Sequence, residues 1–195
     1  MDKIDISDQA LNLAGKFLIA TPNMQDPRFH RAVIYMCNHT SEGAMGLIIN
    51  QTKSDIWLSE MLGTIGIDGA IQVADSPVLT GGPVDIDRGF ILHSPDFISP
   101  ENSNILSKSL TLTSTKDVLT ALVSETDAPE KAVLMVGYSG WSGGQLEREL
   151  QQNAWLVVDG DEAMIFDSEI DTKWARALAI IGVTPAMLST LGGTA

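Results

Sequence analysis

Apolar positions recur along this chain in short runs separated by glycine, proline and acidic turns, a pattern of many strands broken by single helices. After an apolar lead-in (Ala10, Leu11, Leu13), residues 16–20 read as a strand running into the turn Thr21-Pro22-Asn23, and Asp26-Pro27 marks a second turn. Residues 32–38 and 44–50 are near-continuous apolar runs, which predict two buried strands joined as a hairpin through Ser41-Glu42-Gly43. Ser54 or Asp55 is placed to cap a helix carrying Leu58, Met61, Leu62 and Ile65 at helical spacing, stopped by Gly63 and Gly66. Short strands are expected at 71–73, 78–80 and 89–92, then a Pro/Ser-rich turn region over 94–103. The alternation of 110–113 predicts a half-buried strand, and 115–124 a helix with Val118, Leu119 and Leu122 on one face.

The second half continues the pattern. Residues 132–136 predict a buried strand ending at Gly137, and a Gly-rich turn over 139–144 leads into a helix carrying Gln145, Leu146, Glu147 and Leu150. Two further strands, 155–158 and 163–166, are expected around the acidic turn Asp159-Gly160-Asp161. Ser168-Glu169-Ile170-Asp171 resembles a capping box for a helix through Ile181, with Gly182 as its C-cap, and Thr184-Pro185 opens a last short helix. Strands outnumber helices. The expected fold is α/β of the α+β type, a mixed and strongly curled sheet with helices packed outside it. No linker, charge block or repeat divides the sequence, so one domain over 1–195 is expected.

The net charge of −13 changes the functional picture because it is unevenly placed. Residues 1–53 sum to zero, and residues 54–195 carry the whole excess. An acidic surface repels phosphate backbones, so direct DNA binding is not expected. Cys37 is the only cysteine, which excludes an intramolecular disulfide and a cysteine-cluster zinc site and fits a reducing compartment. The first residues carry acids where a signal peptide needs bases. The uncharged stretch 177–195 is interrupted by Gly182, Pro185, Gly192 and Gly193, so it reads as a buried helix and tail, with no membrane span. A cytoplasmic protein is expected.

Three segments carry a family resemblance: Gly15 to Pro22 with Asp26-Pro27-Arg28-Phe29; Gly81-Gly82-Pro83-Val84 with Gly89 to His93; and Gly137 to Glu147. With Ala44 to Asn50 and the tail Trp174 to Gly182, they resemble the bacterial AlgH/YqgE family of proteins of unknown function over nearly the whole chain. The family often closes with Gly-His-Ala where this chain has Gly193-Thr194-Ala195, so a terminal histidine role does not carry over. The resemblance implies a compact fold whose bifurcated sheets form a pseudo-barrel. It brings the label of a transcriptional regulator, derived from a genetic link to alginate control, and no catalytic residues, cofactor or substrate.

Among candidate sites, the strand, Gly loop and helix of 136–147 come first. A Gly-rich turn before a helix N-terminus exposes backbone N–H groups that suit an anion, with Tyr138, Ser139, Gly143 and Gly144 as ligand-binding candidates. The loop lacks the lysine and spacing of a P-loop, and Trp141 stands where a nucleophile elbow needs glycine. The other account is that these glycines permit a tight turn and close packing. Arg28, His30 and Arg31 beside Asp26 form either a solvated turn capped by Asp26 or a small basic spot for a carboxylate or phosphate. His93 follows an apolar strand, where a packed, hydrogen-bonded imidazole competes with a ligand-binding role. Cys37 and His39 would share a face of a regular strand, so a thiolate–imidazole dyad stands against a buried structural thiol. Gly81-Gly82-Pro83 is expected to let two strands separate or a bulge form. Trp141 and Trp155 read as core or interface anchors. Three dispersed histidines give no metal spacing, and no cofactor fingerprint is present.

Two function classes remain. One is a non-enzymatic binding or regulatory protein acting through a protein partner or small-ligand surface. The other is an enzyme or sensor for a small anionic ligand at the Gly-rich loop.

Overall fold

The structure is a computed structural model describing residues 12–99 and 103–190. The lead-in residues Ala10 and Leu11 and the chain's last five residues lie outside the described residues. Among the described residues, ten strands join one network of pairing, which curls into a half-barrel with helices against it. In chain order they are β1 (Lys16–Ala20), β2 (Val33–Thr40), β3 (Gly43–Ile48), β4 (Thr52–Trp57), β5 (Pro77–Thr80), β6 (Val84–His93), β7 (Ser103–Ile105), β8 (Thr111–Thr113), β9 (Ala132–Ser142) and β10 (Trp155–Asp159). The helices are α1 (Leu58–Thr64), α2 (Lys116–Ala121), α3 (Gln145–Gln151), α4 (Glu162–Phe166), α5 (Lys173–Ile180) and α6 (Pro185–Thr190). None is long and apolar enough, among the described residues, to cross a membrane.

The apolar runs are continuous because the strands are covered on both faces. Phe17 and Ile19 of β1 and Val33 and Tyr35 of β2 point into an inner core, which α4 and α5 close with Met164, Ile165, Trp174 and Leu178. Leu18, Ile34 and Met36 point the other way, onto Leu146 of α3 and the two indoles Trp141 and Trp155. In the other limb, Leu79, Leu92 and Met135 share the inner core, while Val78, Ile91, Leu134 and Val136 pack outward on α1 and α2.

Strand β9 is the fork of the sheet. One edge pairs with β6, at Gly89 to His93 and again at Val84↔Tyr138. The other edge pairs in parallel with β5 at Met135 and Val136, then antiparallel with β3 from Ser139 to Ser142. The limbs separate at Gly137, whose φ of 72° lies in the left-handed region. Gly81 stitches them: its N–H donates to Val136 O at 2.8 Å, and its carbonyl accepts from Ile48 N at 2.9 Å. A Cβ on Gly82 would lie 2.2 Å from the Tyr138 carbonyl carbon, and one on Gly137 would lie 2.4 Å from Gly82 O. Three backbones cross where only glycine fits, so the expected separation of strands at 81–83 is present.

Several expectations are corrected. Residues 54 and 55 do not cap α1; they lie in β4, which pairs with β5, and Trp57 precedes the helix. Residues 71–73 are no strand: Gln72 N donates to Leu122 O at 2.9 Å, while Ile71 and Val73 pack on the outer core. The strand expected to stop at Gly137 runs through it to Ser142, so the turn is only Gly143-Gly144. Residues 163–166 form α4 because the Asp161 carboxylate accepts from Ala163 N at 3.1 Å, and a four-residue apolar run serves helix or strand equally. The Ser168 capping box does not form. The chain makes a 3₁₀ turn over Ile170–Thr172, and Asp167 takes the Glu169 N–H at 2.8 Å. Gly182 does end α5: Val183 N donates to Leu178 O and Gly182 N to Ala179 O, the paired bonds of a Schellman motif.

Candidate functional site

Three segments far apart in sequence meet in a cleft of about 800 Å³. The first is the 23–29 turn after β1; the second is Pro83-Val84, where β6 begins; the third is Gly140 and Trp141 of β9 with Gln145, Glu149 and Gln152 along α3. The turn is set by Asp26, which caps the 3₁₀ turn Pro27–Phe29 by accepting from Arg28 N at 3.0 Å. The same carboxylate accepts from the Arg28 side chain at Nε and, at 2.6 Å, at Nη2, and this pairing holds its pKa below the usual carboxylate value.

Behind the cleft, Glu149 collects three donors. Its Oε2 accepts from Trp141 Nε1 at 2.9 Å and Trp155 Nε1 at 2.7 Å, and its Oε1 accepts from Gln145 Nε2 at 2.9 Å. A buried indole N–H requires a partner, and one carboxylate here serves two. Trp155 stands edge-on to Trp141 at 6.0 Å and to Phe29 at 5.5 Å, so the aromatic wall ties the turn to α3. The cleft therefore has a hydrogen-bonded back wall and amide groups at its rim; Asp26 pairs with Arg28, while Glu149 is held by neutral N–H donors.

Of the eight residues singled out from the sequence, Arg28 borders this cleft and the other seven do not. His30 is exposed. Arg31, at φ 51°, lays its guanidinium over the Trp174 ring at 5.2 Å. His93 is fully buried: its Nδ1–H donates to Ser94 O at 2.7 Å and its Nε2 accepts from the Thr113 hydroxyl at 2.9 Å. Burial lowers its pKa. Tyr138 packs edge-on to Phe90 at 5.8 Å. Ser139 is fully buried, and its hydroxyl donates to Gly81 O at 3.2 Å. A Cβ on Gly143 would lie 2.6 Å from Ser41 O, and Gly144 starts α3 at φ 72°, so these glycines allow close approach and a tight turn. The Ser142 N–H and hydroxyl both donate to Gln145 Oε1 at 3.2 Å.

The cysteine–histidine dyad does not form. A bulge in β2 at Cys37 breaks the two-residue alternation. Cys37 turns into the inner core, where burial pushes its thiol up to about 12. His39 turns the other way: its Nδ1 accepts from Leu13 N at 3.2 Å, and its Nε2–H donates to Glu147 Oε1 at 2.9 Å.

The sequence reading did not single out Glu149, Gln145 or Gln152 as site residues. The available signal was the need of Trp141 and Trp155 for indole acceptors, with Glu149 lying between them on the intervening helix. It also passed over Lys173, which is 1% exposed and donates to Ile49 O at 3.0 Å and Ile165 O at 3.1 Å. Burial lowers its pKa to about 8. It sits at the wall of a second cavity, of about 350 Å³, beside Trp57, Pro77 and Phe166.

These features define a class of α+β protein with a forked, curled sheet. The chain belongs to the AlgH-like family, whose model matches residues 17–186. It is 43% identical over 183 residues to a UPF0301 protein of Caulobacter vibrioides, covering 94% of each chain. It is 44% identical over 191 residues to a UPF0301 protein of Vibrio cholerae, covering 95% of this chain and all of the other. The solution structure of the AlgH protein from Pseudomonas aeruginosa matches over the full length of both chains with a TM-score of 0.74 and 37% identity. A Corynebacterium diphtheriae protein shares the fold alone, at 17% identity with a TM-score of 0.68.

Proposed function

We propose that this protein is a non-catalytic binding protein, acting in the cytoplasm, whose recognition surface is the cleft between the 23–29 turn and α3. The observation that carries this reading is the convergence of three distant segments on one concave site whose back wall is fixed by Glu149. Such pre-organisation lowers the ordering cost of binding. The hydroxyl and thiol best placed by sequence for nucleophilic chemistry, Ser139 and Cys37, are buried and away from the cleft. That favours binding over catalysis.

The test is site-specific photo-crosslinking in cells. A photoreactive residue at Gln152, exposed on the cleft rim, is expected to give discrete adducts. The same residue at Glu125, exposed outside the cleft, is expected to give none. Equal labelling at both positions, or none at Gln152, overturns the reading.

A further inference from the structure

The fork that builds the cleft also strips a partner from β9. In an antiparallel pair, successive residues direct their N–H and C=O groups to opposite edges. Ser142 N–H turns away from β3, donating to Gln145 Oε1. Gly43, opposite Ser142, closes the two-residue hairpin with Thr40, so its own backbone groups face β2. By the same alternation, Ser139 and Trp141 bond to β3, while Gly140 directs its N–H and C=O to the outer edge. Strand β6 occupies that edge at Val84↔Tyr138 and starts there; the chain before it leaves through Gly82-Pro83 toward β5. Gly140 is exposed and lines the cleft, and among the described residues no strand lies opposite its outer edge.

We propose that the cleft takes an extended polypeptide segment, which adds antiparallel to β9 at Gly140 and continues the line of β6 past Val84. The inference rests on the reading of the cleft as the binding site and names its ligand class. One residue of the guest exchanges both main-chain hydrogen bonds with Gly140, as in strand addition elsewhere. Amide side chains at the rim (Asn23, Gln152) suit the guest's flanking peptide groups, and exposed Val84 offers an apolar contact. Arg28 is engaged by Asp26, and Glu149 by three N–H donors, so the cleft recognises main chain rather than a charged group. Gly140 has no side chain to obstruct the guest.

The probe is a peptide of about ten residues selected from a random displayed library on the full chain. Binding is read by the amide spectrum, and the peptide is then N-methylated at each position in turn. The expected result has three parts: the Gly140 amide shifts, methylation at one position weakens binding at least tenfold, and Gly140→Pro weakens it similarly. Methylation isolates the main-chain bond even if the proline variant folds poorly. Peptides that bind without moving the Gly140 amide, binding insensitive to methylation at every position, or failure to select any peptide would each overturn the proposal. In any of these cases, discrete crosslinks at Gln152 would leave the cleft itself standing as the binding site, with a different class of ligand.

Discussion

Replacing Gly137 by alanine tests the crossing that divides the sheet. Two costs add at this position. The left-handed φ of 72° costs an L-residue about 1 kcal/mol. The new Cβ would lie 2.4 Å from Gly82 O and 3.0 Å from Val84 O, both backbone atoms that cannot rotate aside. Relieving that overlap moves the 81–84 segment and the Gly81 N–H bond to Val136, an overpacking cost of about 2–3 kcal/mol. Gly15 supplies the control: its φ is 79°, and its Cβ would meet nothing within 4 Å. Gly15→Ala should therefore cost about 1 kcal/mol and Gly137→Ala about 3–4 kcal/mol. Urea unfolding at matched m-values measures the difference. If the two variants lose the same stability within about 0.5 kcal/mol, the backbones do not cross as described.

Three other perturbations probe separate parts of the structure. Glu149→Ala leaves two buried indole N–H groups without their acceptor and should cost about 2–4 kcal/mol in denaturant unfolding, with Glu149→Gln losing less; a loss under about 0.5 kcal/mol in the alanine variant contradicts the hub. The His93 pKa is lowered in the fold, so the unfolded chain binds the proton more readily and stability falls as pH drops below about 6.5. His93→Gln should remove that component from the stability–pH profile, and an unchanged profile refutes its assignment to this ring. Lys173, lowered to about 8 in the fold, gives the same sign at higher pH: stability rises from pH 8 toward 10 by up to about 2 kcal/mol. Lys173→Met should flatten that rise, which wild type retains.

Local pattern carried much of the fold. Residues 16–20, 155–158 and the hairpin around Ser41-Glu42-Gly43 are strands whose apolar runs needed no further information. Two of the misreadings come from strand pairing that local spacing does not show. A glycine inside a strand looks like its end, yet Gly137 is where β9 changes partners, and those partners lie far away in sequence. The Cys37 bulge likewise reverses a facing that the spacing of residues 37 and 39 implied. At the site, the Arg28 turn and Trp141 were visible as features worth attention. Their junction through Glu149 was not, because a carboxylate on a helix face is indistinguishable in sequence from a solvated one.

The account turns on the unpaired edge of β9 inside the cleft, and residue-resolved amide hydrogen exchange on the free protein addresses it directly. Ser139 and Trp141, bonded into β3, should exchange slowly, while Gly140 between them should exchange at least a hundredfold faster. Equal protection at all three amides would mean that the edge is already occupied, and the cleft could not accept a strand there.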